Sequence, residues 1–315
     1  MTIWKTSENR LVKSAILEKN SWIDVYDPTD LEISTLIRDY RIPEDLIRDI
    51  LDEDERPRTE RFNGSLCLIF RVPVFEKTRE VSHFTLPLGI ILTESVIITV
   101  CARQSPIIND ILKAAEKDGG LSPDPADRIS LVLRILIKTL SVYLGFLKLI
   151  NRRTSQIESD LRLSVKNTEL IHLLRLEKSL VYFTTSLKGN EMIVDRLDRG
   201  LFGSLDKAQA EQLDDLRIEL RQAIEMTNIY SNILSGMMDA FASVISNNLN
   251  VVMKRLTQIS LILMIPTFLA SLYGMNVAGL PFHDKSWIFA AILGMSAVLS
   301  GISALLFTRR RKHTG

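Results

Sequence analysis

The hydrophobic pattern of the chain changes sharply near residue 255. Leu256–Tyr273 is a run of 18 residues without a charge, and Trp287–Thr308 is a second such run of 22 residues. Either run is long enough to cross a bilayer core of about 30 Å as a helix that rises about 1.5 Å per residue. We therefore predict two C-terminal membrane spans, the second over residues 287–308. A short external loop over residues 276–286 joins them, and a basic tail over residues 309–315 follows.

The first 122 residues carry the patterns of a mixed α/β domain. Apolar and β-branched runs predict strands, and apolar residues at helical spacing predict helices between them. Asp27–Asp30 has the residue types of a helix start, and Pro73 predicts a strand that lies at a sheet edge or contains a bulge. The predicted strands are 22–26, 66–75, 84–92 and 96–101, and the predicted helices are 31–40, 44–51 and 104–118.

Residues 123–205 change character and predict a long helical hairpin. Pro123 and Pro125 mark the boundary, and from there to Asp198 the chain has no further proline while apolar residues recur at helical spacing. We predict two antiparallel helices, at about 125–163 and 168–198, with a turn near Lys166.

Residues 206–275 predict one very long stalk helix that continues into the first span. Its apolar positions alternate in spacings of three and four, which is a heptad seam and requires a helical partner in the same chain or in another copy. The seam consists of Leu213, Leu216, Leu220, Ala223, Thr227, Tyr230, Leu234, Met237, Phe241 and Val244.

A second stripe on the same helix is polar. Its ten positions step by three or four residues, so they share one face of a slightly supercoiled helix. Eight of the ten are polar, although apolar residues flank the stripe inside the span. The polar stripe consists of Asp239, Ser243, Ser246, Asn250, Met253, Thr257, Ser260, Met264, Thr267 and Ser271.

Two explanations fit a polar stripe in hydrocarbon. Ser and Thr allow close helix packing, or bond back to carbonyls of their own helix. Alternatively, the stripe faces a water-filled axis, and its length, from an acid through Asn250 into the span, favours this second explanation. One helix cannot enclose water, so a pore requires an oligomer in which the first span of each subunit faces the centre.

Composition and charge narrow the function further. The chain has 39 basic and 38 acidic residues and a net charge of +1, which gives no argument for a nucleic-acid partner. It has neither a Gly-x-x-x-x-Gly-Lys loop nor a dinucleotide fingerprint, and no catalytic constellation, so we predict neither nucleotide binding nor an enzyme. Cys67 and Cys101 lie in apolar strand-like runs without metal-site spacing.

Charges beside the spans predict the topology. Lys254 and Arg255 precede the first span, and Arg309–Lys312 follow the second, whereas the loop carries one acid and one lysine. The positive-inside rule places both termini in the cytoplasm. Met1–Arg10 has no apolar core and so predicts no secretory signal. We expect a multi-pass protein of the cytoplasmic (inner) membrane.

Three motifs in this region resemble the CorA magnesium transport proteins. They are Val252–Thr257, Met264–Phe268 and the Tyr-Gly-Met-Asn tetrapeptide Tyr273–Asn276, which stands between two C-terminal spans. The resemblance extends to the α/β domain, the hairpin and the stalk helix. It implies an α+β fold assembled as a homopentameric funnel, with five stalk helices around one pore for divalent cations.

The resemblance also implies roles for particular residues. Gly274, Met275 and Asn276 match the selectivity element at the external mouth, and Asp239 matches a ring of acids at the cytoplasmic end. Asn250, Met253, Leu256, Met264 and Thr267 match the pore lining and its constriction. The polar stripe contains Thr257 rather than Leu256, so which of the two faces the axis stays open.

A regulatory metal site is implied as well. The segment Ile47–Arg58 matches the region that holds a divalent cation between neighbouring subunits in this family, and counting from its motif points to Asp49. The corresponding position on the stalk is Asp215. Bound Mg²⁺ between these acids would hold the cytoplasmic ring closed, because the acids repel each other without it.

The identity of the ion stays open. Met275 favours Mg²⁺, with Co²⁺ or Ni²⁺ as further ions, but Val277–Phe282 is similar to the zinc-transporting branch of the same superfamily. A Zn²⁺ transporter is therefore one alternative. A membrane-anchored scaffold or sensor without a pore is another.

Overall fold

The computed structural model describes residues 1–7, 10–117, 127–163, 167–275 and 287–311. Internal contacts divide the chain into two units, Met1–Met238 and Asp239–Gly315. The predicted domain boundary at residues 122 and 123, the hairpin turn at Lys166 and the external loop over residues 276–286 lie outside the described residues.

The first unit contains a mixed seven-stranded sheet. Its strand order is β2-β1-β3-β7-β6-β5-β4, and all neighbours are antiparallel except β3 and β7, which are parallel. The strands are β1 Thr2–Ser7, β2 Arg10–Ser14, β3 Ser21–Tyr26, β4 Arg58–Phe62, β5 Ser65–Phe75, β6 His83–Leu92 and β7 Val96–Cys101. The four predicted strands are confirmed, whereas β1, β2 and β4 are additional.

Two short helices pack on the sheet. Helix α1 (Asp30–Tyr40) begins with a capping box in which the Thr29 side chain accepts from the Glu32 backbone N–H, while the Glu32 carboxylate accepts from that of Thr29. Helix α2 (Glu44–Leu51) follows Pro43. Their apolar faces join the strands in one buried cluster that includes Ile23, Leu36, Ile47, Ile50, Ile69, Ile91 and Ile98.

Pro73 lies on a part of β5 that is an edge, as predicted. Strand β4 pairs only with Ser65–Ile69, so Pro73 pairs on one side alone, with Thr85 of β6. Nearby, the amide of Asn190 replaces the missing strand: its Oδ1 accepts from the Arg71 N–H at 2.9 Å, and its Nδ2 donates to the Arg71 carbonyl at 2.8 Å. A side chain from a helix thus makes the backbone hydrogen bonds of Arg71 that no neighbouring strand makes.

The remaining helices of the first unit are α3 (Pro106–Lys117), α4 (Arg128–Leu163), α5 (Asn167–Asp198) and the first part of α6 (Lys207–Tyr273). Seam residues of α6 pack into the pair formed by α4 and α5. Leu216 and Leu220 share a small cavity with Tyr143 and Leu187, and Arg221 Nε lies 3.4 Å from Glu191 Oε1. The seam therefore has an intramolecular partner up to Leu234, which is fully buried.

In the part of the chain that the structure describes, three helices are long and apolar enough to cross a membrane. They are α4, α6 and α7 (Ile288–Arg311). In the most apolar window of α4, 44% of the residues are buried inside the chain, against 0% in α6 and 6% in α7. The apolar side chains of α4 pack largely inside the chain, so α6 and α7 remain as the predicted spans.

Candidate functional site

The two helices of the second unit contact each other along one face of α6. Ser300 Oγ on α7 donates to the Ile262 carbonyl at 3.3 Å. Ile265 and Leu269 share an open apolar groove with Leu299, and Met264 of the stripe also lines this groove while staying 60% exposed. Within the predicted span, the half-buried positions of α6 follow this face at helical spacing. They are Gln258, Ile262, Ile265, Pro266, Leu269, Leu272 and Tyr273.

The polar stripe lies on the opposite face of α6. At about 100° per residue, Ser260, Met264 and Ser271 fall within about 20° of the point opposite Ile262. All ten positions of the stripe are exposed in the single chain. Helix α7 therefore does not bury the stripe, which stays accessible to solvent or to another copy of the chain.

Two hydroxyls of the stripe bond within their own helix. Thr257 Oγ1 donates to the Met253 carbonyl and Thr267 Oγ1 donates to the Leu263 carbonyl, both at 2.9 Å. Such back-bonding uses the single hydroxyl proton and leaves the oxygen lone pairs directed outward as acceptors. These two threonines are thus satisfied whether they meet water or another helix, and only the other polar residues of the stripe favour water.

Leu256 and Thr257 lie at similar angles to the stripe. Counted from the point opposite Ile262, Thr257 is displaced by about 40° and Leu256 by about 60° on the other side. Both side chains are exposed, Leu256 by 56%. The choice between them stays a prediction.

The predicted external mouth is described only in part. The Gly274 N–H donates to the Ala270 carbonyl at 2.9 Å and so ends α6. A Cβ at Gly274 would lie 3.1 Å from that same carbonyl oxygen, which is tighter than ordinary contact and favours glycine there. Met275 is 52% exposed, and Asn276 lies outside the described residues.

Asp49 lies in the last turn of α2 and is paired with Arg58 at the start of β4. The Arg58 Nη2 donates to Asp49 Oδ2 at 2.7 Å, its Nη1 bonds Glu55 Oε1, and its Nε lies 3.4 Å from Glu60 Oε2. Burial acts to lower the pKa of Arg58, but the bonds and charges of these acids outweigh it and raise that pKa. The predicted metal ligand therefore already has a cationic partner within its own chain.

Asp215 lies on the exposed side of α6. Its neighbour Asp214 instead bonds Arg217. Across the described ranges of the chain, no group of three or more His, Cys, Asp and Glu side chains is placed to hold a metal ion. Asp49 and Asp215 thus remain predicted ligands for a site that a neighbouring copy would complete.

Arg71 fixes the loop between Asp49 and Arg58, a role that the sequence pattern did not reveal. Its Nη1 donates to the Glu55 carbonyl at 2.6 Å, and its Nη2 donates to the Glu53 carbonyl at 2.8 Å. Its Nε donates to Thr85 Oγ1 at 2.9 Å. In the sequence, Arg71 stands out only as the single charged residue of the apolar strand 66–75. That pattern does not show which groups it binds.

Comparison with known proteins identifies the family. A model of the CorA-like Mg²⁺ transporter protein family matches residues 18–311. The chain belongs to this family. The cobalt/magnesium transport protein CorA of Methanocaldococcus jannaschii is 28% identical over 295 residues, which cover 91% of this chain and 90% of that protein. The protein of the same description from Thermotoga maritima is 22% identical over 267 residues, covering 84% of this chain and 75% of that protein.

The solved structures agree with this assignment. The complete CorA magnesium transporter from M. jannaschii superposes with a TM-score of 0.79 at 25% identity, over 98% of this chain and 97% of that one. The fold of this CorA-family chain is therefore CorA-like, with a soluble N-terminal α/β domain built on a mixed sheet and followed by long helices.

Proposed function

We propose that this CorA-family protein is a channel-type transporter that carries Mg²⁺, and also Co²⁺, across the cytoplasmic membrane. The observation that carries the proposal is the polar stripe of α6, which is exposed throughout and lies opposite the face covered by α7. Polar and ionisable side chains within a membrane span almost always face the interior of a helix bundle or a water-filled cavity rather than lipid. The names of the relatives support the choice of ions.

The pore requires several copies of the chain. In the apolar part of α6 no residue is buried by the chain itself, and one α7 covers only one side. We propose a homopentamer in which five copies of α6 turn the stripe to a common axis, from Asp239 at the cytoplasmic end to Ser271 near the external mouth. Met253 and Met264 form its apolar part, with Ser260 between them and with either Leu256 or Thr257 facing the axis. Asn250 lies on the cytoplasmic side of this part, and Thr267 lies on its external side.

The proposed external mouth selects a hydrated ion. Mg²⁺ gives up its inner-sphere water reluctantly, so neutral oxygens that accept hydrogen bonds from its polarised waters suit it. The Asn276 side-chain carbonyls and the backbone carbonyls of Gly274 would supply such oxygens, with Met275 between them. A ring of carboxylates would bind the ion harder and release it more slowly, which would oppose conduction.

Transport runs down the electrical gradient. With both termini in the cytoplasm and an inside-negative potential, an entering divalent cation gains about 4.6 kcal/mol per 100 mV, twice the value for a single charge. We therefore propose Mg²⁺ influx driven by the membrane potential, without nucleotide hydrolysis.

Regulation by the transported ion is proposed at the surface of the cytoplasmic domain. The carboxylates of the half-buried Asp49 and the exposed Asp215 are hard oxygen donors, and Mg²⁺ is commonly held by one or two carboxylates with water in its remaining positions. The donor set thus fits Mg²⁺. An ion shared by Asp49 of one subunit and Asp215 of the next would relieve their repulsion and favour the closed ring.

Flux through the purified protein in liposomes tests the function. At a controlled, inside-negative membrane potential, we expect uptake of Mg²⁺ and Co²⁺ that rises with the potential. We expect this uptake not to depend on a proton gradient. Zn²⁺ uptake that requires a proton gradient would instead favour the zinc-transporting alternative. Ion uptake equal to that of protein-free liposomes would contradict transport and favour the alternative of a membrane-anchored scaffold or sensor without a pore.

A further inference from the structure

The predicted regulatory acid Asp49 stands in a cluster of unbalanced charge. Three carboxylates, Asp49, Glu55 and Glu60, meet the single guanidinium of Arg58. The exposed fractions of the side chains are 44% for Asp49 and 31% for Arg58, so the pair lies at the surface and is open to ions. The cluster carries a net charge of −2, which a divalent cation would neutralise and which Arg58 alone does not.

The carboxylate of Asp49 is already engaged. The distance of 2.7 Å between Arg58 Nη2 and Asp49 Oδ2 is that of a charge-assisted hydrogen bond. A cation that binds this carboxylate must compete with a guanidinium that is tethered only nine residues away along the chain. Tethering gives Arg58 a high local concentration at the site.

We propose that Arg58 is a built-in counter-cation of Asp49, which Mg²⁺ must displace in order to bind. The inference rests on the regulatory site proposed above and adds the residue that sets its affinity. Arg58 keeps the site from filling at low Mg²⁺ concentration, so the site responds only when the ion is abundant.

The loop that carries the cluster is held in place without Arg58. Arg71 bonds the backbone carbonyls of Glu53 and Glu55, and Pro57 packs against α5 so closely that a Cβ at Gly189 would lie 2.5 Å from its Cγ. Removing the Arg58 charge therefore leaves the backbone of the loop fixed on two sides. A change in Mg²⁺ affinity would then report the lost competition rather than a displaced loop.

Calorimetric titration of the full-length, metal-free protein in detergent with MgCl₂ tests the proposal. Asp49→Asn identifies the heat that belongs to the regulatory site. We expect Arg58→Gln to lower the apparent dissociation constant of that component by about five- to tenfold, since three partly exposed charge pairs are lost. Arg58→Lys keeps the charge but not the guanidinium fork, so it should give a smaller decrease.

Arg56→Gln is the matched control, because it removes the same charge from an exposed position two residues away. A dissociation constant in Arg58→Gln that equals that of Arg56→Gln, or exceeds that of the wild type, would overturn the role of Arg58 while leaving the site. A titration that Asp49→Asn does not alter would overturn the site itself. If Arg58→Gln does not fold, as thermal unfolding in EDTA would reveal, Arg58→Lys alone decides, and an unchanged affinity there contradicts the proposal.

Discussion

At the scale of single residues, Asp24 is the most unusual acid of the soluble domain. It is 6% exposed on the interior strand β3, and burial raises its pKa to about 6, although a hydrogen bond from Thr99 Oγ1 at 2.7 Å opposes the shift. Thr99 in turn accepts from Trp22 Nε1 at 3.0 Å. The chain therefore holds a carboxyl group inside the sheet that stays protonated up to a higher pH than an exposed aspartate does.

We predict that this group makes the domain less stable as the pH rises from about 4 to about 6. In that window the folded state still binds the Asp24 proton, whereas the unfolded state has already released it. A rise in pH therefore favours the unfolded state until the folded state has also lost this proton. A shift of about two pH units corresponds to about 2–3 kcal/mol. Thermal unfolding of wild type and Asp24→Asn should agree near pH 4, with Asp24→Asn more stable above pH 7. Parallel curves over the whole range would contradict this.

Arg71 is the second residue whose removal should be costly. Arg71→Met would leave the partly buried carbonyls of Glu53, Glu55 and Thr85 without this donor, and each such loss costs about 1–3 kcal/mol before relaxation and water entry reduce it. We expect a total loss of about 2–4 kcal/mol in thermal unfolding. Arg61→Met is the control, because Arg61 is exposed and bonds the Leu201 carbonyl. Similar losses of stability in both variants would contradict the role of Arg71 in holding these carbonyls.

At the scale of elements, the contact between α5 and the loop after α2 gives a sharp test. A Cβ at Gly189 would clash with the rigid ring of Pro57, whereas one at Gly145 on α4 would meet nothing within 4 Å. Gly145→Ala should therefore stabilise its helix by about 0.5–1 kcal/mol, and Gly189→Ala should destabilise the protein by about 1–3 kcal/mol. Thermal midpoints that move in the same direction for both variants would contradict this packing.

The elements that the sequence predicted are those whose pattern is strong on its own. The buried hairpin of β6 and β7 and the uninterrupted α6 followed from long apolar runs and from periodicity. Strands β1, β2 and β4 escaped because they lie toward the sheet edges, where polar side chains alternate or dominate, as in Arg58–Phe62. Likewise, the roles of Arg58 and Arg71 depend on contacts between distant segments, which periodicity does not encode.

In the whole molecule, the proposed transport requires a water-filled axis shared by several copies of the chain. Thiol chemistry can locate that axis, because both native cysteines are buried and burial raises the pKa of Cys101 to about 11 and that of Cys67 further. Neither thiol should react with a charged, water-soluble methanethiosulfonate reagent. The native chain is therefore a silent background for introduced cysteines.

The open choice between Leu256 and Thr257 is settled by the same chemistry. In the assembled protein, cysteine at the position that faces the axis should react with the reagent from the water phase, and cysteine at the other should react much more slowly. The polar stripe predicts faster labelling of Thr257→Cys. Faster labelling of Leu256→Cys would instead support a rotated helix with an apolar constriction at that level.

Block of Mg²⁺ uptake by thiol modification tests whether the polar stripe of α6 lines the pore. Ser260 lies opposite the α7-facing side, whereas Leu263 is 62% exposed and lies to the side of the stripe. In liposomes at fixed potential, the reagent should largely abolish Mg²⁺ uptake by Ser260→Cys and leave that by Leu263→Cys unchanged. Unaltered uptake after complete labelling of Ser260→Cys, or absence of labelling in active protein, would contradict a pore lined by the polar stripe of α6.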